Sequence, residues 1–252
     1  MTKNTVKNSI FYSLIGVFSI FALWFLLYFT VANGYIIPSP IAVIKESFSN
    51  LTSLAFYANL SNTLFRVVCA LVLSFALGVF LAILSNLFSS FERIMLPVIS
   101  VIRSLPILAV LLIILVFTAR SFAPVIVCVL SLFPIVYSHT LTYLSSIDCK
   151  QKEMLKIYKV PVKAQIVSVY LKGYLPLFVK ELTALFSFSL KLVVSAEILA
   201  NVFQSIGGDV YQASIYANVT QMFSLTLLVC LIGIVVELVG NLIFLKMEKK
   251  FQ

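Results

Sequence analysis

Apolar residues in this chain fall into long runs separated by short polar stretches, and most of the runs are too long for the helices of a soluble core. The first covers about residues 10–32, behind Lys3 and Lys7. A signal-peptide core is only about 7–15 residues, so this run reads as a retained first membrane span. Further runs at about 63–87, 94–118, 122–144, 175–203 and 222–245 bring the expected total to six membrane helices. Six crossings place both termini on one side. Between the first two runs, Ile41, Ile44 and Phe48 recur at helical spacing after Pro38 and Pro40, which predicts a short interfacial helix on the outer face. No polar block is long enough to form a separate soluble unit, so residues 1–252 read as one all-α membrane domain.

The one long polar stretch lies between the fourth and fifth runs, within about 146–174, and reads DCKQKEMLKIYKVPVKAQIVSVYLKGYLP from Asp148 to Pro176. Asp148 with Gln151 forms a capping box that opens a helix. Gln151, Met154, Leu155 and Tyr158 then recur at i, i+3, i+4 and i+7, while Lys152, Lys156 and Lys159 share the opposite side. Val160 precedes Pro161 and is pushed out of helical geometry, which ends the helix at about Lys159. Pro161 suits the first turn of a second helix that presents Val162, Ile166 and Val169 on one face. A stripe of four such residues needs an apolar cleft or a lipid surface to cover it.

Charge orients this arrangement. Lys3, Lys7, Arg93, Lys150, Lys152, Lys156, Lys159, Lys163, Lys246, Lys249 and Lys250 fall on the side holding the termini, against Lys45, Arg66 and Arg120 near the other. By the positive-inside rule both termini and the polar stretch are cytoplasmic. The same distribution explains the formal charge of +9 without nucleic acid, because the basic residues sit in loops beside apolar runs. Apolar residues make up 62% of the chain and charged ones 11%, far below the roughly 25% of soluble proteins. Cys69, Cys128, Cys149 and Cys230 lack metal-type spacing and carry no sign of an oxidising compartment.

Ionised side chains inside the runs narrow the candidates. A charge at mid-bilayer costs about 2.5–3.5 kcal/mol on insertion scales, so it usually faces a partner or a wet cavity. Lys180 and Glu181 lie within two turns of the inner end of the fifth run and reach the interface from there. Lys191 and Glu197 are deeper or towards the outer end. A role in a pathway or subunit interface stands beside a buried structural pair for both, and six residues of separation leave them on different helix faces. Arg103 precedes Leu105-Pro106, where the proline frees a carbonyl and kinks the helix, and it either lines a path or packs. Arg66 is placed to snorkel at the outer end of the second run. Glu237 lies between Gly233 and Gly240, which favour close helix contact. His139 is the sole histidine and reads as a buried, hydrogen-bonded packing residue. With no G-x-x-x-x-G-K-[ST] loop there is nothing here to cradle ATP, and no metal cluster or nucleophile–base set is readable. The chain reads as a non-enzyme.

The polar stretch resembles the cytoplasmic coupling loop, or EAA loop, of permease subunits in binding-protein-dependent ABC importers. Glu153 stands at the loop's glutamate, with Met154 and Leu155 in place of the alanines and Lys159 in place of the glycine. Leu171, Gly173, Leu175 and Pro176 fit the second part of the motif, and Ala196-Glu197 follows at the family spacing. Pro38-Ser39-Pro40, Thr63-Leu64-Phe65-Arg66, Pro97, Arg103-Ser104-Leu105-Pro106 with Ala109, Phe133-Pro134 and Gly207-Gly208 add to the likeness, which is closest to the branch moving nitrate, sulfonates, taurine, bicarbonate or thiamine precursors.

The resemblance implies a type I importer permease in the bacterial inner membrane, working as a homodimer or heterodimer with cytosolic ATPase subunits and an extracytoplasmic solute-binding protein. ATP would be bound by the partner, with no cofactor or metal here. Gln151, Glu153, Met154, Leu155, Tyr158 and Lys159 would form the ATPase-coupling face, and Arg103, Lys191 and Glu197 the translocation path. Residues 35–61 and 203–221 would meet the binding protein. A stand-alone secondary transporter or channel is the alternative, although no inverted repeat of broken helices is visible. A membrane scaffold for an ATPase is a third.

Overall fold

The computed structural model describes residues 3–31, 33–34, 36–146, 157–158, 161 and 172–251. Their regular structure is helical: α1 (Lys3–Val31), α2 (Pro40–Leu51), α3 (Leu54–Leu87), α4 (Ser89–Ser104), α5 (Ile107–Phe117), α6 (Ala123–Ser146), α7 (Lys172–Ala200), α8 (Ile206–Ile215) and α9 (Val219–Phe251). Among the described residues, four stretches are long and apolar enough to cross a membrane, namely Leu54–Leu87, Ala123–Ser146, Phe178–Ala200 and Val219–Met247. Counting α4 and α5 as one broken span makes five, and α1 adds a shorter apolar stretch, Phe18–Val31.

The third expected crossing, 94–118, needs correction. It is not one helix but two, bent by 94° at Leu105-Pro106. Pro106 supplies no N–H and forces the preceding residue into extended geometry, and Leu105 sits at φ −67°, ψ 131°. Pro106 itself is extended at ψ 104°. Two consecutive extended residues turn the chain instead of kinking a continuous helix. Its neighbour Pro97, by contrast, lies inside α4, whose helix continues past it.

Contacts divide the chain into two compact units. The first combines Met1–Tyr57 with Asp209–Leu228. Here α2 starts as its sequence dictates: Ser39 caps it by accepting from the Ala42 N–H at 3.1 Å, and Pro40 takes the first helical position. Val43 and Ser47 face inward, leaving Ile41, Ile44 and Phe48 exposed as an outward apolar stripe. Asn50 and Gln221 exchange side-chain hydrogen bonds of 3.1 and 3.0 Å, and Ser47 meets Ser224 at 3.2 Å. Trp24 donates to the Pro38 carbonyl at 3.2 Å and packs on Phe223.

The second unit, Ala58–Gly208 with Val229–Gln252, is built around α6 and α7. Close approach is set by small residues. At Gly78 of α3, an added Cβ would lie 2.8 Å from the Val136 side chain of α6. One turn pair further on, Ser85 and Tyr137 share a 2.8 Å hydrogen bond, and Ala82, Met95, Ile99 and Phe133 close a core about that tyrosine. Leu111, Ala123, Val127 and Ala196 form a second core among α5, α6 and α7. Against the other side of α7, Gly240 of α9 presses on Thr183, and Ser187 donates to the Gly233 carbonyl at 3.0 Å. The contact expected of Gly233 and Gly240 is therefore present, while Glu237 between them is exposed.

Replacing Gly240 by valine should lower thermal stability by about 1–3 kcal/mol, since the new side chain has no room beside Thr183. Thr183→Gly should recover part of the loss, as read by thermal unfolding in detergent. An unchanged midpoint for Gly240→Val would refute the close α7–α9 contact.

Candidate functional site

The C-terminal end of α7 terminates in a way its sequence can be read for. Asn201 adopts φ 48°, the left-handed geometry asparagine tolerates better than most residues. The Asn201 and Val202 N–H groups turn back to the Ile198 and Glu197 carbonyls at 3.2 and 3.0 Å. That is a Schellman ending. The five-residue connection 201–205, with a second left-handed residue at Gln204 (φ 52°), delivers the chain to α8.

Every free N–H in the first three positions of α8 finds a side chain. Ile206 donates to Thr63 Oγ1 at 3.0 Å, Gly207 to Glu197 Oε2 at 3.2 Å and Gly208 to Ser205 Oγ at 2.9 Å. Helix N-termini leave these groups unsatisfied and carry partial positive charge, so a carboxylate is favoured there. Glu197 is 0% exposed. Its other oxygen receives Arg66 Nη1 at 2.8 Å, and Thr63 donates to Oε2 at 3.0 Å. Arg66 Nε reaches the Ser121 carbonyl at 3.3 Å, and Asn62 donates to the Gln204 carbonyl at 3.0 Å. Gly207 has to be glycine here, because a Cβ would collide with Glu197 and the Val194 carbonyl. One carboxylate thus joins α3, the end of α7 and the start of α8.

This corrects the reading of Arg66. Its guanidinium does not snorkel but turns inward to an acid 131 residues away, and its side chain is only 14% exposed. The usable signal was Thr63 and Arg66 at i and i+3 near the start of an apolar run, which puts both on one face of α3.

The remaining charges are dispersed. Arg103, in the last turn of α4, donates to the Pro134 carbonyl at 2.9 Å and to Ser138 Oγ at 2.7 Å, holding α4 against α6 just before the bend. Lys191 is exposed, on a different face of α7 from buried Glu197. Lys180 lies over the Phe244 ring at 5.6 Å. Glu181 does not simply reach the interface: it is largely covered and pairs with His139 Nδ1 at 2.9 Å. His139 has its hydrogen bond but is 60% exposed, so the expectation of burial was wrong. The two line a crevice of about 490 Å³ between α6 and α7, with Thr142, Tyr143, Ser146 and Lys180.

Of the expected coupling face, Gln151, Glu153, Met154, Leu155 and Lys159 lie outside the described residues, and Tyr158 is exposed. In the segment 203–221, expected to meet the binding protein, Gly207 and Gly208 are buried and Phe203 is exposed. Among the described residues, no three His, Cys, Asp or Glu side chains converge as metal ligands.

Arg66→Met should leave a buried carboxylate without its cation, at a cost of roughly 3–5 kcal/mol. Adding Glu197→Gln should return a large part of that loss, because the amide keeps acceptors and donors without charge. Thermal unfolding of the two single variants and the double variant checks this, and strictly additive losses would contradict the pairing.

Comparison with known proteins places the chain. Residues 74–249, more than two thirds of it, match the family described as the inner membrane component of binding-protein-dependent transport systems. Compared singly with curated proteins, the chain finds no significant match. The matched region takes in the Glu197 end of the clamp and the whole of α4 to α8, while Thr63 and Arg66 precede it. The chain therefore belongs to the binding-protein-dependent transport inner membrane component family, as a multi-pass membrane permease component of an ABC importer.

Proposed function

We propose that this permease forms the solute path of a type I ABC importer in a bacterial inner membrane and couples it to a separate cytosolic ATPase. The observation that carries the reading is the family match across 74–249, which includes both the polar stretch and the broken span. Six crossings follow if α1, α3, the α4–α5 pair, α6, α7 and α9 each span once, which puts both termini in the cytoplasm with most of the lysines. The whole chain acts as one membrane domain beside a second permease subunit, identical or different.

In this reading Met154, Leu155 and Tyr158, flanked by Gln151, Glu153 and Lys159, dock in a groove of the ATPase through the degenerate EAA loop. Methionine, leucine and lysine stand where alanines and a glycine would allow closer approach, so the ATPase is a dedicated partner with a wider groove. ATP binds to that partner and the permease itself performs no chemistry. Solute arrives from an extracytoplasmic binding protein at outer surfaces that include the exposed turn at Phe203. It is a small anion such as a sulfonate, taurine or nitrate, or a thiamine-precursor pyrimidine. Among the intramembrane charges, Lys191 is exposed to line the path, while Glu197 and Arg103 hold the elements that shape it.

Leu155→Asp tests the coupling face. A carboxylate carried into an apolar groove should weaken ATPase association roughly a hundredfold and abolish ATP-dependent uptake, with the permease still inserted. Unchanged association and uptake would remove Leu155 from the docking face.

A further inference from the structure

Most of α7 is covered by its neighbours, and what it leaves open is a single line. Lys180, Ala184, Phe188, Lys191, Ser195 and Leu199 are the exposed residues from 180 to the helix end, and they recur at steps of four, four, three, four and four. That spacing is one face of an α-helix. A face turned to lipid would be uniformly apolar. This one holds two lysines, a serine and an alanine.

Lys191 decides what the line faces. The apolar span of α7 is Phe178–Ala200, so Lys191 lies two residues from its midpoint. At 1.5 Å per residue the nearer end is about 14 Å away, further than a four-carbon stem can carry an ammonium. Among the described residues Lys191 has no ion pair, and its side chain makes no hydrogen bond; only its carbonyl is used, by Ser195 Oγ at 2.8 Å. Arg66 and Arg103, by contrast, are bound to protein acceptors. A charged group at this depth with neither partner nor interface within reach requires water or an anion beside it.

We infer that the Lys180–Ala184–Phe188–Lys191–Ser195 face of α7 is a water-filled lane whose cation at Lys191 selects for a negatively charged solute. The inference rests on the permease reading for the existence of a path and adds the helix face that lines it and the side chain that sets its preference for anions. Lys191 supplies attraction at the midpoint. Ser195, one turn outward, supplies a hydroxyl on the same line, and Phe188 one turn inward narrows the lane. Acids are absent from the line itself. Of the acids within α7, Glu197 is turned into the clamp and Glu181 towards His139. Among the described residues, the other acids within the candidate spans are Glu237, exposed on α9, and Glu92 in the first turn of α4.

Ser195→Cys in the full-length chain, with its native partners and native cysteines replaced, reads the lane without knowledge of the solute. The probes are two small water-soluble thiol reagents, a methanethiosulfonate carrying a sulfonate and one carrying a trimethylammonium, applied from each side of the membrane. Both should label Cys at 195 from at least one side. The sulfonate reagent's advantage over the trimethylammonium reagent should fall about three- to tenfold when Lys191→Gln is added, the size expected of one charge a helical turn away in a wet site. Should the cysteine replacements prevent folding, the same ratio is measured with only Cys149, in the polar stretch, and exposed Cys230 replaced. No labelling from either side would overturn the lane, and a ratio unmoved by Lys191→Gln would overturn the selection. Rescue of a Lys191→Glu assembly defect by Glu237→Lys would also overturn it, by showing a charge pair between subunits. Recovery of an ATPase with the chain is scored separately, so a failed importer reading and a failed lane give different results.

Discussion

A carboxylate with no exposure to solvent is the constraint on which the described part of this permease turns. An isolated ionised acid at such a position would be untenable, and Glu197 exists there because three donors, Arg66, Thr63 and the Gly207 N–H, converge on it in the field of a helix N-terminus. Two donors come from α3 and one from the start of α8, so satisfying the charge also fixes where α3, the end of α7 and the start of α8 meet. The local geometry conforms to that demand. Asn201 and Gln204 accept left-handed backbone, and Gly207 gives up a side chain so that the carboxylate fits.

With its C-terminal end held, α7 is packed along its length by two different devices. On one side it shares an aliphatic core with α5 and α6, and on another it meets α9 through Gly240, Thr183, Ser187 and Gly233. Only one line of residues remains open. The broken pair α4–α5 follows the same economy of contact: Arg103 holds the end of α4 to α6 through a carbonyl and a serine, and the two extended residues at 105–106 release the chain to turn through 94°. Charges that look alike in the sequence thus do opposite things. Arg66, Arg103 and Glu197 hold helices together, and Lys191 is left facing outward from its helix.

Much of this was legible before any coordinates. Long apolar runs marked α3, α6, α7 and α9, the recurrence of Ile41, Ile44 and Phe48 after Pro40 marked α2, and two glycines seven apart marked a close helix contact without naming its partner. A separation of six residues correctly set Lys191 and Glu197 on different faces. What escaped was the partnership of groups distant along the chain. Nothing local to Arg66 announces Glu197, because a pair 131 residues apart is a property of packing. The size of the bend at Pro106 escaped for a related reason. Proline predicts a break, but whether it becomes a kink or a right-angle turn depends on ψ at Leu105 and Pro106. His139 was misjudged as buried because a lone histidine in an apolar run says nothing of which helix face it occupies. The segment that carries the resemblance to a coupling loop falls mostly outside the described residues, so its reading rests on helical spacing and likeness.

The claim at the centre of this account is that the chain moves solute only in company with an ATPase. Purification of the tagged protein from its native membranes in mild detergent, with mass spectrometry of what accompanies it, tests that most directly. The account predicts an ATPase subunit in the complex, with or without a solute-binding protein. A chain recovered alone or only with copies of itself, from membranes where other ABC complexes survive the same detergent, would contradict it.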